Sequence, residues 1–299
     1  MAFVCAVLWG GNTVAVKFTV EEIPPVACAG LRFVLSLPIV AAFAWYEGIS
    51  LRAARAAIGP IVINGLILYA QIATFNLGTA LTQAGRASVL INIHPFVVAP
   101  LAWLLLGERL RWYGVLGLFL AGAGVILLFQ ERLPGLKDAT TGDAILVLSA
   151  VILGVQSIYQ KFVLRHIRGT VLLFWQTVVA LPLFFITAHF WEHWVPRWPS
   201  PPAALGLLYQ GVGVSGLCFI LWFILLHSYP VSQVSAIGFL VPIFGVASGM
   251  MFLDEELTLA LAGSTALVGA GIYLVTKARV APHPRMASTE LEALTTEHA

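Results

Sequence analysis

The stretch Gly85-Arg86-Ala87-Ser88-Val89-Leu90-Ile91-Asn92-Ile93-His94-Pro95, followed by Leu104-Leu105-Leu106-Gly107-Glu108, decides the fold because its landmarks occur twice. At a displacement of 147 residues, Ser88 falls on Ser235, Pro95 on Pro242, Glu108 on Glu255 and Gly122-Ala123-Gly124 on Gly269-Ala270-Gly271. Upstream the displacement is 144, which aligns Gly10 with Gly154, Lys17-Phe18 with Lys161-Phe162 and Leu37-Pro38 with Leu181-Pro182. Chance does not readily align a proline, an acid and a triplet in one ungapped frame, so the chain is predicted to be an internal duplication.

The composition places the duplicated chain among membrane proteins. Of its 299 residues, 60% are hydrophobic and 10% are charged, whereas a soluble domain carries about 25% charged residues. Several apolar runs reach the roughly 20 residues that a helix needs to cross a bilayer, and they lack the alternation of barrel strands. They predict ten transmembrane helices, at 3–20, 27–47, 58–80, 86–106, 111–130, 142–163, 169–190, 202–226, 231–253 and 257–277.

Five helices per half is an odd number, so the second half is predicted to enter the membrane from the opposite side. We expect a first repeat at 1–132, a second, inverted repeat at 133–279, and a disordered cytoplasmic tail at 280–299. Both termini are predicted to lie in the cytoplasm, with the chain in the inner (plasma) membrane, because this orientation leaves fewer positive charges outside than inside. The outside charges are then Lys17, Arg86, Arg132, Lys137 and Arg197. Many secondary transporters have this all-α architecture and bind substrate between the repeats, near the midplane.

The repeated residues also resemble a known family. Gly85-Arg86-Ala87-Ser88, Pro95, the run 104–110 and Gly122-Ala123-Gly124-Val125 are similar to the EamA-type repeat of the drug/metabolite transporter (DMT) superfamily, as are Leu8-Trp9-Gly10 and Leu31-Arg32-Phe33. The resemblance covers nearly the whole chain except the tail, and it implies ten helices, inverted halves and export of small metabolites. The second copy departs from the pattern at Leu153 and Asp254. Together with an uncharged, polar and aromatic interior, the resemblance favours amino-acid export of the YddG-like type.

Polar side chains inside membrane helices are costly and mark candidate substrate contacts. Ser88, Asn92 and Pro95 share one helical stripe that suits a cavity wall, although packing between helices explains such residues equally well. His94 is a candidate for substrate contact or proton exchange, and a structural hydrogen bond to a freed carbonyl is the alternative. The predicted substrate-binding residues are Trp9, Asn12, Tyr69, Asn92, His94, Gln156, Tyr159 and Trp222.

Five other residues have an interpretation from their position. Pro95 and Pro242 are predicted hinges, because each removes a helical hydrogen bond near the midplane, and static kinks are the alternative. Arg32 could meet a carboxylate inside the membrane, but a structural or snorkelling arginine is favoured. Glu108 and Glu255 are expected to stabilise the first turns of the fifth and tenth predicted helices against the helix dipole.

Other functions stay open on the sequence alone. A multidrug carrier would want a buried acid, and a sugar- or nucleotide-type carrier a basic pocket. An intramembrane serine protease could use Ser215 in Gly213-Val214-Ser215-Gly216, but His227 lies about 18 Å along the helix axis, beyond the reach of a general base.

We therefore expect a transporter, not an enzyme, with a small-molecule substrate and the bilayer as its partners. Cys5, Cys28 and Cys218 are widely spaced in apolar stretches and are interpreted as buried hydrophobes. We expect no cofactor, no metal and no nucleic acid, and a monomer. No acid falls in the middle third of a predicted span, which favours facilitated over ion-coupled transport.

Overall fold

The computed structural model describes residues 1–51, 57–82, 84–108, 111–130, 141–253 and 259–277, and the regular structure in these ranges is helical. The α-helices are α1 Ala2–Val20, α2 Pro25–Tyr46, α3 Ile58–Ala80, α4 Ala84–Ile91, α5 His94–Leu101, α6 Trp112–Gln130, α7 Thr141–Val163, α8 Gly169–Phe190, α9 Pro201–Leu208, α10 Phe219–Ser228, α11 Val231–Ala236, α12 Val241–Leu253 and α13 Leu259–Lys277. A π-helical segment extends α5 and another joins α9 to α10, at Ala102–Leu106 and Tyr209–Cys218, and a 3-10 turn joins α11 to α12 at Ile237–Leu240.

Each predicted span coincides with one helix or with a run of consecutive helices, so the predicted all-helical fold is confirmed. Seven helices or runs within the described ranges are long and apolar enough to cross a membrane, and shorter apolar helices lie at His94–Leu106, Trp112–Gly124 and Ala266–Val275. The fourth and ninth spans differ from the prediction because they are interrupted. The first break lies between α4 and α5, and the second is the turn at Ile237–Leu240.

Proline and glycine set several helix ends. Pro25 opens α2 and Pro201 opens α9, while Pro230 directly precedes α11. Proline fits the first turn because its fixed φ is helical and its missing N–H would have no partner inside the helix. At the other end of the fourth span, Gly107 has a φ of 69°, a left-handed conformation that glycine adopts without steric cost.

Two lysines satisfy the carbonyls at the ends of neighbouring helices. Lys17 Nζ donates to the carbonyl of Ala80, the last residue of α3, at 3.2 Å. Lys161 Nζ donates to the carbonyls of Leu226 and Tyr229, at the end of α10, at 2.6 and 2.8 Å. A cation at a helix C-terminus compensates the unpaired carbonyls and the negative end of the helix dipole.

The two halves of the chain are interleaved. α6 packs along α13, and α2 packs against both α8 and the segment Tyr209–Cys218. α3 contacts α7 and α8, while α1 contacts α12 and α9. Since each half supplies helices to the packing of the other, side chains distant in sequence meet between the halves.

The predicted role of Glu108 is corrected by the structure. Its carboxylate accepts hydrogen bonds from the N–H groups of Val231 and Ser232, at 3.0 and 3.1 Å, and from Ser232 Oγ at 2.7 Å. Glu108 therefore caps α11, in the other half, instead of the helix that follows it in sequence. The predictions for Glu255 and for the tail 280–299 concern residues outside the described ranges.

Candidate functional site: a cavity between the two halves

Residues of both halves enclose a cavity of about 110 Å³. Its walls come from α1, α3 and α4 in the first half and from α7 and α10 in the second, with Arg32 contributed by α2. Gly238 and Val241 close it from the turn region between α11 and α12. The helices converge there because α1 packs against α12 and α3 packs against α7.

The structure brings most of the predicted substrate-binding residues to this cavity. Two of them lie elsewhere: the hydroxyl of Tyr69 contacts Thr187 Oγ1 at 2.6 Å while its ring packs on Phe184, and Tyr159 donates to the carbonyl of Pro60 at 3.3 Å. Both hydroxyls are thus satisfied away from the cavity. The predicted residues that line it are Trp9, Asn12, Asn92, His94, Gln156 and Trp222.

Aromatic rings contribute a large part of the cavity wall. The rings of Trp9 and Trp222 meet edge to face with their centroids 5.2 Å apart. Phe75, Phe219 and Phe223 also line the cavity. Rings in this arrangement offer a large apolar contact surface, so this part of the cavity suits an apolar or aromatic group.

Other lining residues carry buried polar atoms that have no hydrogen-bond partner within the described part of the chain. A buried polar atom left unpaired costs about 1–3 kcal/mol, and native structures contain few of them. Because these residues line one cavity, a polar solute there would meet both hydrogen-bond donors and acceptors. The atoms are Asn12 Oδ1, Thr13 Oγ1, Arg32 Nη1, Ser88 Oγ and Gln156 Nε2.

The break between α4 and α5 exposes Asn92 and His94 to the cavity. Asn92 Nδ2 donates to the carbonyl of Ser88, and His94 Nδ1 lies 3.2 Å from the carbonyl of Ile91. Each side chain thus forms a hydrogen bond with a carbonyl near the end of α4, where carbonyls lack helical partners. For His94 this contact is the structural alternative considered from sequence, although the residue lines the cavity as well.

Gly238 allows the second half to approach this break closely. A Cβ at Gly238 would lie 2.8 Å from His94 Cε1 and 3.0 Å from Asn92 Oδ1. Both distances are shorter than ordinary van der Waals contact, so a side chain at this position would push the two halves apart.

Arg32 also lines the cavity, although its position in the sequence favoured a structural or snorkelling arginine. Its side chain is only 1% exposed, so it does not snorkel to the membrane surface. Its Nε donates to Ser215 Oγ at 2.8 Å, which joins α2 to the π-helical segment of the second half. The Ser215 hydroxyl therefore contacts a guanidinium that cannot act as a general base, which argues against the nucleophilic role considered from sequence.

Thr13 and Gly238 were missed as lining residues. Thr13 lies four residues after Trp9, on the same face of α1, so helical spacing could have identified it. No local signal marks Gly238, because its position in the wall depends on the break in the other half that packs against it.

A comparison with protein families identifies the chain. The EamA-like transporter family matches residues 1–130 and 140–277. The chain belongs to this family. The EamA-like resemblance drawn from the sequence is therefore confirmed, and the protein is a multi-pass membrane transporter whose family points away from an enzyme.

Individual relatives match this EamA-like transporter over nearly its full length. A probable amino-acid metabolite efflux pump of Escherichia coli is 27% identical over 92% of this chain and 93% of its own length. YoaV, an uncharacterised transporter of Bacillus subtilis, is 23% identical over 90% of this chain and 93% of its own length. A protein of known crystal structure, 23% identical, has the same fold, with a TM-score of 0.79 over 93% of this chain and 96% of that chain.

Proposed function

We propose that this EamA-like transporter exports neutral or aromatic amino acids. The observation that carries the proposal is the composition of the cavity wall. Polar residues whose buried atoms have no partner in the described ranges line it together with rings such as Trp9 and Trp222. An amino acid with an apolar side chain has the same division between a polar backbone end and an apolar end. The name of the relative from Escherichia coli, a probable amino-acid metabolite efflux pump, supports this substrate class.

We further propose that ten transmembrane helices form two inverted repeats. The proposal is supported by contacts between the two halves that have an equivalent contact under the internal alignment, with the roles of the halves exchanged. A Cβ on Gly10 would overlap Phe244, and a Cβ on Gly154, the counterpart of Gly10, would lie 2.8 Å from Val97, the counterpart of Phe244. The lysines that cap α3 and α10 are a second such pair, because Lys17 and Lys161 are equivalent in the internal alignment and each donates to a carbonyl at the end of a helix.

Transport is proposed to occur by alternating access between the repeats at 1–132 and 133–279. Two equivalent breaks support this mechanism, since Pro95 follows the break between α4 and α5 and Pro242 follows the turn at Ile237–Leu240. Each proline is the second residue of its helix, where its missing N–H leaves no helical bond unmade. The predicted loss of a helical hydrogen bond is therefore wrong as the reason for a hinge, and the proposal rests on the breaks themselves. Breaks of this kind can absorb the dihedral changes of a hinge.

The proposed location is the inner (plasma) membrane, with both termini in the cytoplasm and one chain as the transporting unit. The distribution of Lys and Arg supports the orientation. A reporter fused after Arg279 should report the cytoplasm, and one inserted near Trp198 the periplasm. The reverse pattern would contradict the orientation.

Transport by the purified protein in liposomes tests the substrate class. We expect movement of L-leucine and L-phenylalanine down their gradients without an imposed proton or sodium gradient, because the predicted spans have no acid in their middle third. Trp222→Ala should slow phenylalanine transport more than alanine transport, and Trp198→Ala is the matched control because Trp198 is 99% exposed. Transport of sugars, nucleotides or cationic drugs without any amino acid would contradict the proposal.

A further inference from the structure

We propose that Arg32 binds the carboxylate of the transported solute through its Nη atoms, and that Ser215 holds the guanidinium in position. This inference rests on the proposed function and specifies its site. It assigns a substrate-binding role to a residue that sequence analysis favoured as structural, and it gives Ser215 a positioning role.

The hydrogen bonds of Arg32 leave one edge of its guanidinium available. Of the five N–H donors of an arginine, Nε is engaged by Ser215 Oγ at 2.8 Å. Nη1 is buried and has no partner among the residues that the structure describes. A guanidinium fixed at Nε still presents its two Nη groups side by side, a fork that matches the two oxygens of a carboxylate.

The charge of the cavity also favours a single anionic group. Arg32 is 1% exposed, and the lining residues within the described ranges include neither Asp nor Glu. A buried charge without a counter-ion is strongly unfavourable, and a bound carboxylate would supply that counter-ion. One guanidinium is matched by one carboxylate, whereas a phosphorylated solute would require a more basic pocket.

The other unpaired atoms of the wall complement the rest of an amino acid. Gln156 Nε2 is a second donor available to a carboxylate oxygen, while Asn12 Oδ1 is an acceptor available to an ammonium group. The hydroxyls of Thr13 and Ser88 can donate or accept. Donors for the anion and acceptors for the cation are therefore both present in one cavity.

The second half of the chain does not duplicate this anion site. Gln176 is the counterpart of Arg32 in the internal alignment, and its Oε1 accepts a hydrogen bond from Asn64. Gln176 is fully buried but is not among the residues that line the cavity. The carboxylate is therefore expected to bind on the Arg32 side, so that the solute has one orientation.

The test compares Arg32→Gln with Arg165→Gln. Glutamine already occupies the position equivalent to Arg32 in the second half, and Arg165 is an exposed cation outside the cavity, so the control makes the same charge change. Binding to the purified proteins is measured by calorimetry with three probes of similar shape: L-leucine, isoamylamine, which lacks the carboxylate, and isocaproate, which lacks the ammonium group.

Arg32→Gln should weaken the binding of leucine and isocaproate by roughly 10- to 100-fold, the effect of losing hydrogen bonds to a charged group, and should leave isoamylamine unchanged. Arg165→Gln should change none of the three. Ser215→Ala keeps the charge but releases Nε, so it should weaken leucine binding to a smaller extent. This second variant tests the inference even if Arg32→Gln does not fold.

The outcomes separate the inference from the proposed function. Leucine binding that is equal in the wild type, Arg32→Gln and Ser215→Ala would overturn the inference and leave amino-acid transport standing. Arg32-dependent binding of isocaproate, without binding of leucine or any other neutral amino acid, would overturn the proposed function and support the carboxylate anchor. Binding of neither class by the wild type would overturn both.

Discussion

Replacing Gly271 by alanine should destabilise this transporter, whereas the same change at Gly269, two residues earlier in α13, should not. A Cβ on Gly271 would lie 2.5 Å from the carbonyl oxygen of Gly117 and 2.7 Å from the amide nitrogen of Ala121, both in α6. A Cβ on Gly269 would meet nothing within 4 Å. Because the neighbours of Gly271 are backbone atoms that cannot rotate away, α6 and α13 would have to separate by roughly 1 Å to restore ordinary contact.

The size of the effect follows from two opposing contributions. Overpacking of this kind costs about 1–3 kcal/mol, and the higher helix propensity of alanine offsets up to about 1 kcal/mol. Gly271→Ala should therefore lower the free energy of unfolding by up to about 2 kcal/mol, while Gly269→Ala should raise it by up to about 1 kcal/mol. For a chain of this size the two melting temperatures should differ by several degrees.

The assay is thermal unfolding of both variants and the wild type in the same detergent, followed by intrinsic tryptophan fluorescence. A titration with a denaturing detergent gives an independent ranking of stability. Equal melting temperatures for the two variants, or a lower value for Gly269→Ala, would refute the argument that α6 and α13 meet through a glycine that cannot be enlarged.

Glu108→Ala should lower the free energy of unfolding by about 2 kcal/mol, because α11 loses its cap, and Glu108→Gln should lose less since one acceptor oxygen remains; unchanged melting temperatures would contradict this role. Lys161→Met should be more destabilising than Lys17→Met in the same assay, because Lys161 has two acceptors within 2.8 Å and Lys17 has one at 3.2 Å; the reverse order would contradict the comparison. Pro95→Ala and Pro242→Ala should shift the labelling of single cysteines placed on the two membrane sides of the cavity in opposite directions, and identical or absent shifts in folded protein would argue against paired hinges.

The helices of the fold were predictable from local signals. The bounds of α3 and α8 agree with the predicted spans because both are long apolar runs between clear turns. The interruptions were not predicted from hydropathy, since the segments before Pro95 and Pro242 remain apolar whether or not their helices are continuous. The prediction of which helix Glu108 caps was also wrong, because its carboxylate binds the start of a helix more than 120 residues away in sequence.

The candidate site was predictable in part. Asn12 and Gln156 were identified because polar side chains inside membrane helices are costly, and the structure brings both to one cavity. Tyr69 satisfied the same criterion but lies away from the cavity, with its hydroxyl on Thr187. Spacing along a helix restricts a side chain to one face, but it does not say which neighbouring helix that face will meet.

The sequence by itself determined that this protein is a helical membrane protein, because hydropathy and helix length are properties of the chain alone, and its motifs carried the resemblance to the EamA-like transporter family. Only the tertiary structure decided which polar side chains line the cavity, and which of their atoms have no partner among the residues that the structure describes. Arg32 illustrates the difference. The sequence places a cation inside a helix, but its burial and its bond to Ser215 depend on α2 packing against Tyr209–Cys218. Those contacts join residues more than 180 positions apart, and hydrogen bonds over such distances are set by packing between helices, which local sequence patterns do not encode.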